Sequence, residues 1–393
     1  MFTKKISLKQ HTPIIHFQHE MDGATLRATE LKPKLDRFIV EDLSKVDMTL
    51  FDKYKHLIIE DNFPINGIAV ASPYKIRINS QKLNEYVFTS LRDKDINRTF
   101  SNIGIGNAPY FADNKNIKDG TTENKGNDGQ ILKLKKGVIS DNITLEIMSF
   151  DEEMVAFISE IIPYVLTYEN FGTRQNKGFG SFHVEGKTSN DFKALLKKHP
   201  KYNKALCYTI NANHNTYENF KAIFKVINDK YTVLKTGKTF PKTIMSKLLS
   251  WFIPKNMDWE KKIVRQYVVL NKDKKDFSED NKFKYIRALL GLAEEYVYPF
   301  DKENGKETKV KIECIDKDIS RFKSPLTFKV FENTIFVLVN DIEDDIFDAT
   351  FEFYIKDNRK VTIKTPPKYI NGKEVFNLKD FLEKHMNNDW KYE

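Results

Sequence analysis

Between Phe2 and Gln10 the chain alternates, with Phe2, Lys4, Ile6 and Leu8 in one phase. This period of two predicts a first strand, ended by Gln10, His11 and Pro13. Ile14-Ile15-His16-Phe17-Gln18-His19 and a polar turn at Asp22-Gly23 follow. Leu31, Leu35, Phe38 and Ile39 then recur at i, i+4, i+7 and i+8, the core stripe of a helix, with Pro33 compatible with its first turn. After weakly patterned residues 41–70, Tyr74-Lys75-Ile76-Arg77-Ile78 predicts a strand exposing Lys75 and Arg77 on one side. Residues 112–130 are polar and glycine-rich, the pattern of a mobile loop of the kind that contacts ligands. Strands are expected at Leu132–Lys135 and Ile143–Met148. Asp151 then fits the N-cap of a helix burying Met154, Val155, Ile158, Ile161, Ile162 and Val165, kinked at Pro163.

That helix leads into Phe171-Gly172-Thr173-Arg174-Gln175-Asn176-Lys177-Gly178-Phe179-Gly180-Ser181-Phe182, and Phe182-His183-Val184 reads as a strand. Beyond it, helical patterns at residues 192–198, 216–228, 241–253, 283–296 and 378–385 mix with strand patterns at 205–210, 309–315, 326–330, 334–339 and 351–355, with a charged break at 271–281. The whole is α+β. At 393 residues the chain exceeds what one core usually serves, so two domains are expected, 1–188 and 189–393.

Composition narrows the function classes. Lys and Arg number 64 against 55 acids, a net charge of +9 that fits a polyanion partner and equally a basic enzyme. Two cysteines, Cys207 and Cys314, supply neither a disulfide framework nor a four-cysteine metal site, and a reducing cytoplasmic setting follows as the expectation. The N-terminus lacks the apolar core of a signal peptide and no run reaches membrane-spanning length, so no membrane partner is expected.

The candidate chemistry lies in two places. In the glycine-rich stretch, Gly178 and Gly180 would let a partner approach the backbone, Arg174 and Lys177 would supply charge for phosphate, and Phe179 a ring for a base. A helix C-cap at Gly172 followed by an ordinary loop explains the same composition equally well. Upstream, Arg27, Lys32, Lys34 and Arg37 crowd the first helix off its apolar stripe, where the helix N-terminus adds partial positive charge.

These residues carry a resemblance. Thr12-Pro13 with Leu26-Arg27-Ala28-Thr29-Glu30-Leu31-Lys32-Pro33-Lys34-Leu35-Asp36-Arg37-Phe38, the glycine-rich loop, and Arg321-Phe322-Lys323-Ser324-Pro325-Leu326 together resemble motifs of the RAMP superfamily of CRISPR effector subunits. Within it the chain looks most like the two-domain subunit that caps the guide-RNA 3′ end in the type III-B (Cmr) complex. Thr29 stands where that family usually has serine, Pro33 where it has glycine, and Gln175-Asn176 where it often has arginines. The resemblance implies two ferredoxin-like (RRM-like) domains with helical insertions and a non-catalytic, cofactor-free and metal-free role in antiviral defence. Its implied partners are guide RNA, other RAMP subunits and, as a further candidate, target RNA. The implied RNA-binding residues are Arg27, Lys32, Lys34, Arg37, Arg174, Lys177, Gly178, Phe179 and Gly180, extended by Arg321 and Lys323.

Two other classes remain open at this point. A guide-processing endoribonuclease of the same superfamily would draw on His11, His16 or His19, with His16 the one to test. A basic structural or protein-interaction module would need none of this chemistry. Gly237-Lys238-Thr239 resembles the end of a phosphate-binding loop, but Thr232 occupies the position of the first glycine.

Overall fold

The computed structural model describes all residues except 17–24, 60–61, 64–72, 82, 89–134, 211–216, 239–241, 271–281, 299–307, 320–321, 356–358, 387–390 and 393. The expected ligand-contacting loop at 112–130 and the charged break at 271–281 therefore lie outside the described residues. The chain forms two compact units, the first comprising Met1–Asn228, Thr327–Leu338 and Trp390–Glu393, the second Asp229–Leu326 and Val339–Asp389. Residue 188, the expected boundary, falls inside the first unit.

In the first unit, β1 (Phe2–Gln10), β2 (Tyr74–Ser80), β5 (Ile143–Ser149) and β6 (Phe182–Val184) make one antiparallel sheet in the order β2-β5-β1-β6. The hairpin β3 (Leu83–Phe88) and β4 (Lys135–Ser140) lies between β2 and β5 in the chain. Helix α1 (Ala28–Glu41) connects β1 towards β2 through the short α2 (Leu43–Val46) and α3 (Met48–Tyr54), and α4 (Glu152–Tyr168) connects β5 to β6. Alternation assigns Ile6, Leu8, Ile143, Leu145 and Ile147 to one sheet face, where all but the partly buried Ile6 form a core with Leu31, Leu35, Phe38 and Ile39 of α1 and the apolar side of α4. Each such fully buried side chain contributes roughly 1.5–3 kcal/mol of transfer free energy. The opposite phase, Lys5 with Lys75 and Arg77, points away from the helices, as the alternation predicts.

The caps agree in part with expectation. Asp151 caps α4 by accepting from the Glu153 amide at 2.9 Å. Pro33, in contrast, is not in the first turn of α1. The helix starts earlier, with Arg27 as its N-cap, so Pro33 lies inside and denies the Thr29 carbonyl its helical partner.

The first unit continues with α5 (Ser189–Lys198) and a second sheet ordered Leu326–Phe331, Thr334–Val339, Leu206–Thr209, Lys391–Tyr392. Phe192 of α5 packs on Phe331 and Phe336, which ties the chain beyond residue 188 to this unit. Every residue of Leu326–Phe331 is buried, Lys329 among them.

The second unit holds an antiparallel sheet ordered Glu295–Tyr298, Thr308–Cys314, Thr350–Tyr354, Lys360–Lys364. Its strands follow one another in chain order, rather than in the interleaved order expected for a ferredoxin-like sheet. The helix expected over 283–296 is replaced by a short strand Phe283–Lys284, a 3-10 turn Ile286–Leu290 and the strand from Glu295. Gly291 at φ +102° breaks the helical path, and Arg287 is drawn inward to pair with buried Glu260 beneath the Tyr296 ring.

Candidate functional site

The glycine-rich loop begins where α4 ends. The Glu169 amide closes the helix on the Val165 carbonyl, and the chain then runs extended before coiling through four left-handed residues, Gly172, Arg174, Gly178 and Gly180. Gly172 is therefore part of the coil and not the helix cap. Several of the loop's amides are spent within the protein. Gly172 N–H donates to the Glu30 carboxylate, Thr173 N–H to the Ile15 carbonyl at 2.8 Å, Gly180 N–H to the Pro13 carbonyl at 2.9 Å, and Ser181 N–H to Thr12 Oγ1 at 3.0 Å. A carboxylate from the first turn of α1 thus fills the place where an external anion was expected.

The close approaches are internal too. A Cβ on Gly172 would meet Ile14 Cγ1 at 2.6 Å and one on Gly180 the Phe171 carbonyl oxygen at 1.9 Å, while on Gly178 it would meet Ile227 Cδ1 at 2.8 Å. Gly178 and Gly180 thus admit the protein's own strands, which corrects their reading as points of RNA backbone approach. Phe179 is corrected likewise, because it is 0% exposed and stacked on Phe224 with centroids 4.1 Å apart, so no base can reach its ring. The other side of the loop runs beside the strand Leu326–Phe331. Phe328 N–H donates to the Asn176 carbonyl at 3.2 Å, Asn170 Nδ2 to the Phe328 carbonyl at 2.8 Å and Ser181 Oγ to the Val330 carbonyl at 2.6 Å.

The basic helix and the loop are one structure, joined through Lys34 and Glu169. Lys34 Nζ reaches Glu169 Oε2 at 2.7 Å, the Asn170 carbonyl at 2.6 Å and Gln175 Oε1 at 2.8 Å, and lies 4.9 Å from the Phe171 ring centroid. Glu169 also takes Arg37 at 3.0 Å, and its main-chain oxygen accepts from Lys329 Nζ at 2.7 Å. Burial drives the Lys329 pKa well below the usual lysine value. Lys32 pairs with Asp36 across one helical turn and lies over Tyr74. Arg37 has a half-exposed side chain, 51%, whereas that of Lys34 is 14% exposed and its amine is committed to the loop. Arg174 is half-buried in the loop, and burial lowers its pKa to about 10, whereas the Nζ of Lys177 is buried, which corrects its reading as a cation presented to phosphate.

The Cmr1 N-terminal domain model matches residues 1–238 and the Cmr1 C-terminal domain model residues 243–393. The chain belongs to the Cmr1 family. It is thereby a Cmr1-like RAMP subunit of the type III-B CRISPR (Cmr) complex. The crystal structure of Cmr1 from Pyrococcus furiosus in its apo form is 12% identical, with a TM-score of 0.39 over 92% of this chain and 94% of that one. No curated protein matches the chain.

In this Cmr1-family chain the structure brings Arg37, Lys34, Arg174 and Lys177 to the α1 and glycine-loop region, with Arg27 at the start of α1 and Lys32 on the same helix. Lys323 is exposed in the second unit, and Arg321 lies outside the described residues. Sequence reasoning missed Glu30, Glu169 and Lys329. Lys329 did leave a signal, a single cation in the otherwise apolar run Leu326-Thr327-Phe328-Lys329-Val330-Phe331. His16 is 5% exposed with Nε2 donating to the Thr25 carbonyl at 3.1 Å, and burial lowers its pKa. His11 is buried and stacked on His183, while His19 lies outside the described residues. Among the described residues no group of three His, Cys, Asp or Glu side chains is placed to hold a metal, and no helix is long and apolar enough to cross a membrane.

Proposed function

We propose that the chain is a non-catalytic RNA-binding subunit of the type III-B complex that holds the 3′ region of the guide RNA, with target RNA passing the same surface. The reading rests chiefly on the joining of α1 to the glycine loop by Lys34 and Glu30, which gathers cations from two distant sequence motifs in one region. The first sheet, ordered β2-β5-β1-β6 with a helix in each crossover, supports a ferredoxin-like (RRM-like) assignment for the first unit. Arg37, Lys32, Arg27 and Arg174 are the residues assigned to phosphate, while the glycines, Phe179 and Lys177, whose Nζ is buried, build the wall that carries them. Buried, hydrogen-bonded His16 favours this reading over guide cleavage. A cytoplasmic setting and the other RAMP subunits as neighbours belong to the same proposal.

Filter binding of labelled guide-like RNA across a salt series tests it. Affinity should fall with salt, and Lys32→Ala with Arg37→Ala should weaken binding and flatten the log–log slope by about 1.4, the value for two single-strand phosphate contacts. No binding by the chain alone or in the assembled complex removes the proposal. Discrete cleavage of repeat RNA that is lost in His16→Ala would replace it with the nuclease reading.

Glu169 gives a second, opposite prediction. Its carboxylate neutralises Lys34 and Arg37, so Glu169→Gln should raise RNA affinity severalfold and steepen the salt slope. The pair with Arg37 is solvent-screened, but Lys34 is largely buried against the same carboxylate, so the variant should also lose stability, by about 1–3 kcal/mol. A fall in affinity at unchanged melting temperature would show instead that the carboxylate holds the cations in their binding geometry.

A further inference from the structure

Among the described residues, helices α1 and α4 cover one face of the first sheet, and the other face carries its own pattern. The register places Lys5, Glu146 and Arg77 in one row across β1, β5 and β2. Glu146 is only 13% exposed on its side chain, held between Lys5 at 3.2 Å and Arg77 at 3.8 Å. One carboxylate thus faces two well-exposed cations. The next row towards the end of β5 pairs Met148 with exposed Lys75. Next in the same phase comes Phe150, just past the strand and 87% exposed. At the β6 side the face is closed, because His183 is buried against Phe331. What stays open among the described residues is a strip with three cations around one acid, then a thioether, then a phenyl ring in water.

Cations that track a backbone, beside an aromatic ring on which bases stack, make a surface for single-stranded nucleic acid. The open face of a four-stranded RRM sheet uses aromatics within the strands to stack bases, and here the strip bears charge within the strands and its ring at the end. Strand spacing sets Lys5 and Arg77 roughly 10 Å apart across β5, and Lys75 and Arg77 about 7 Å apart along β2. That span covers more than one phosphate. We propose that this helix-free face, through Lys5, Lys75, Arg77 and Phe150, is a second binding surface for single-stranded nucleic acid, separate from the α1 and glycine-loop region. Since α1 and α4 pack on the opposite side of the sheet, the cations of the two surfaces can be removed independently.

The test uses the full chain, a labelled oligouridylate and an oligodeoxythymidylate, with fluorescence anisotropy over a salt series. Lys75→Glu with Arg77→Glu should weaken binding at least tenfold and lower the salt slope by about 1.4. Phe150→Ala should weaken it about tenfold while leaving the slope unchanged. Arg37→Ala, on the other surface, should add to either effect rather than mask it. Equal affinity for the two oligomers supports recognition by backbone and stacking, and a preference for oligouridylate supports the same surface with 2′-hydroxyl contacts added. The proposal is overturned if both face variants melt like the parent chain and bind with unchanged affinity and slope. It is equally overturned if they lose only an acidic protein partner of the complex, since the strip would then be a protein-docking face.

Discussion

Gly180→Ala should cost about 4 kcal/mol or more and lower the melting temperature of the chain by roughly 10 °C. Three effects combine at that position. The backbone sits at φ +67°, where a Cβ costs roughly 1–2 kcal/mol by itself. The new methyl would stand 1.9 Å from the Phe171 carbonyl oxygen and 2.7 Å from its carbon, a backbone neighbour that cannot rotate away. Relieving the clash separates Gly180 from Phe171, which breaks the Phe171 N–H bond to the Gly180 carbonyl at 2.9 Å and strains the Gly180 N–H bond to the Pro13 carbonyl.

The comparison among glycines makes the prediction specific. At Gly178 the nearest obstacle to a Cβ is Ile227 Cδ1 at 2.8 Å, the movable end of a side chain, so Gly178→Ala should cost less. Gly186, at φ +83° with nothing within 4 Å of a Cβ, isolates the backbone term and should lose only about 1 kcal/mol. Calorimetry on the three variants should rank them Gly180, Gly178, Gly186. If the glycines instead served RNA approach alone, Gly180→Ala would melt like the parent and fail only in RNA binding. That result would refute the internal role assigned to the loop.

The same loop shows how much the chain discloses before folding. Alternation in β1 and β2 and the period of α1 and α4 were legible because each element buries one face against a single core, so polarity records direction. The meeting of α1 with the loop was legible as order along the chain, cations upstream and glycines after α4. What the loop packs against was not, since strand Leu326–Phe331 arrives from 150 residues further on, and a glycine that admits RNA looks the same as one that admits a strand. Phe179 shows that ambiguity, an aromatic next to cations that finds Phe224 instead of a base. The misread helix at 283–296 has a related cause. Ile286, Leu289 and Leu290 have helical spacing, but buried Arg287 and Gly291 are governed by tertiary partners that no local period encodes.

Acid should destabilise the first unit well before its carboxylates protonate. Burial lowers His183 from 6.5 to about 4, with Lys9 and Lys329 adding to the effect, and burial lowers His199 likewise to about 4. His183 stacks on His11 at 4.4 Å and meets the tilted Phe331 ring at 4.6 Å, with His11 and Phe331 4.8 Å apart, so the three rings form one cluster, while His199 stacks on Tyr202 at 4.1 Å. In the unfolded chain both imidazoles take up protons once the pH falls below 6.5, whereas the folded chain refuses them down to about 4. Stability is therefore fully present above pH 6.5, falls between 6.5 and about 4, and levels off for these groups below that. The loss is on the order of 3 kcal/mol for each histidine, together comparable with the entire stability of many domains. Asp47 acts in a separate, lower window. Burial alone would raise it, but the bonds from Lys198, Tyr164 and the Leu50 amide hold it at about 2, so its contribution disappears only as the pH falls from 3.8 through that value. Urea midpoints measured at steps from above pH 6.5 to below pH 4 should fall steeply across the histidine window, and His183→Gln or His199→Gln should each remove part of the slope while leaving the acid end dependent on Asp47. A midpoint that holds steady down to pH 4.5 would mean that both imidazoles are protonated in the folded chain without penalty, and the stacked histidine packing described above would be wrong.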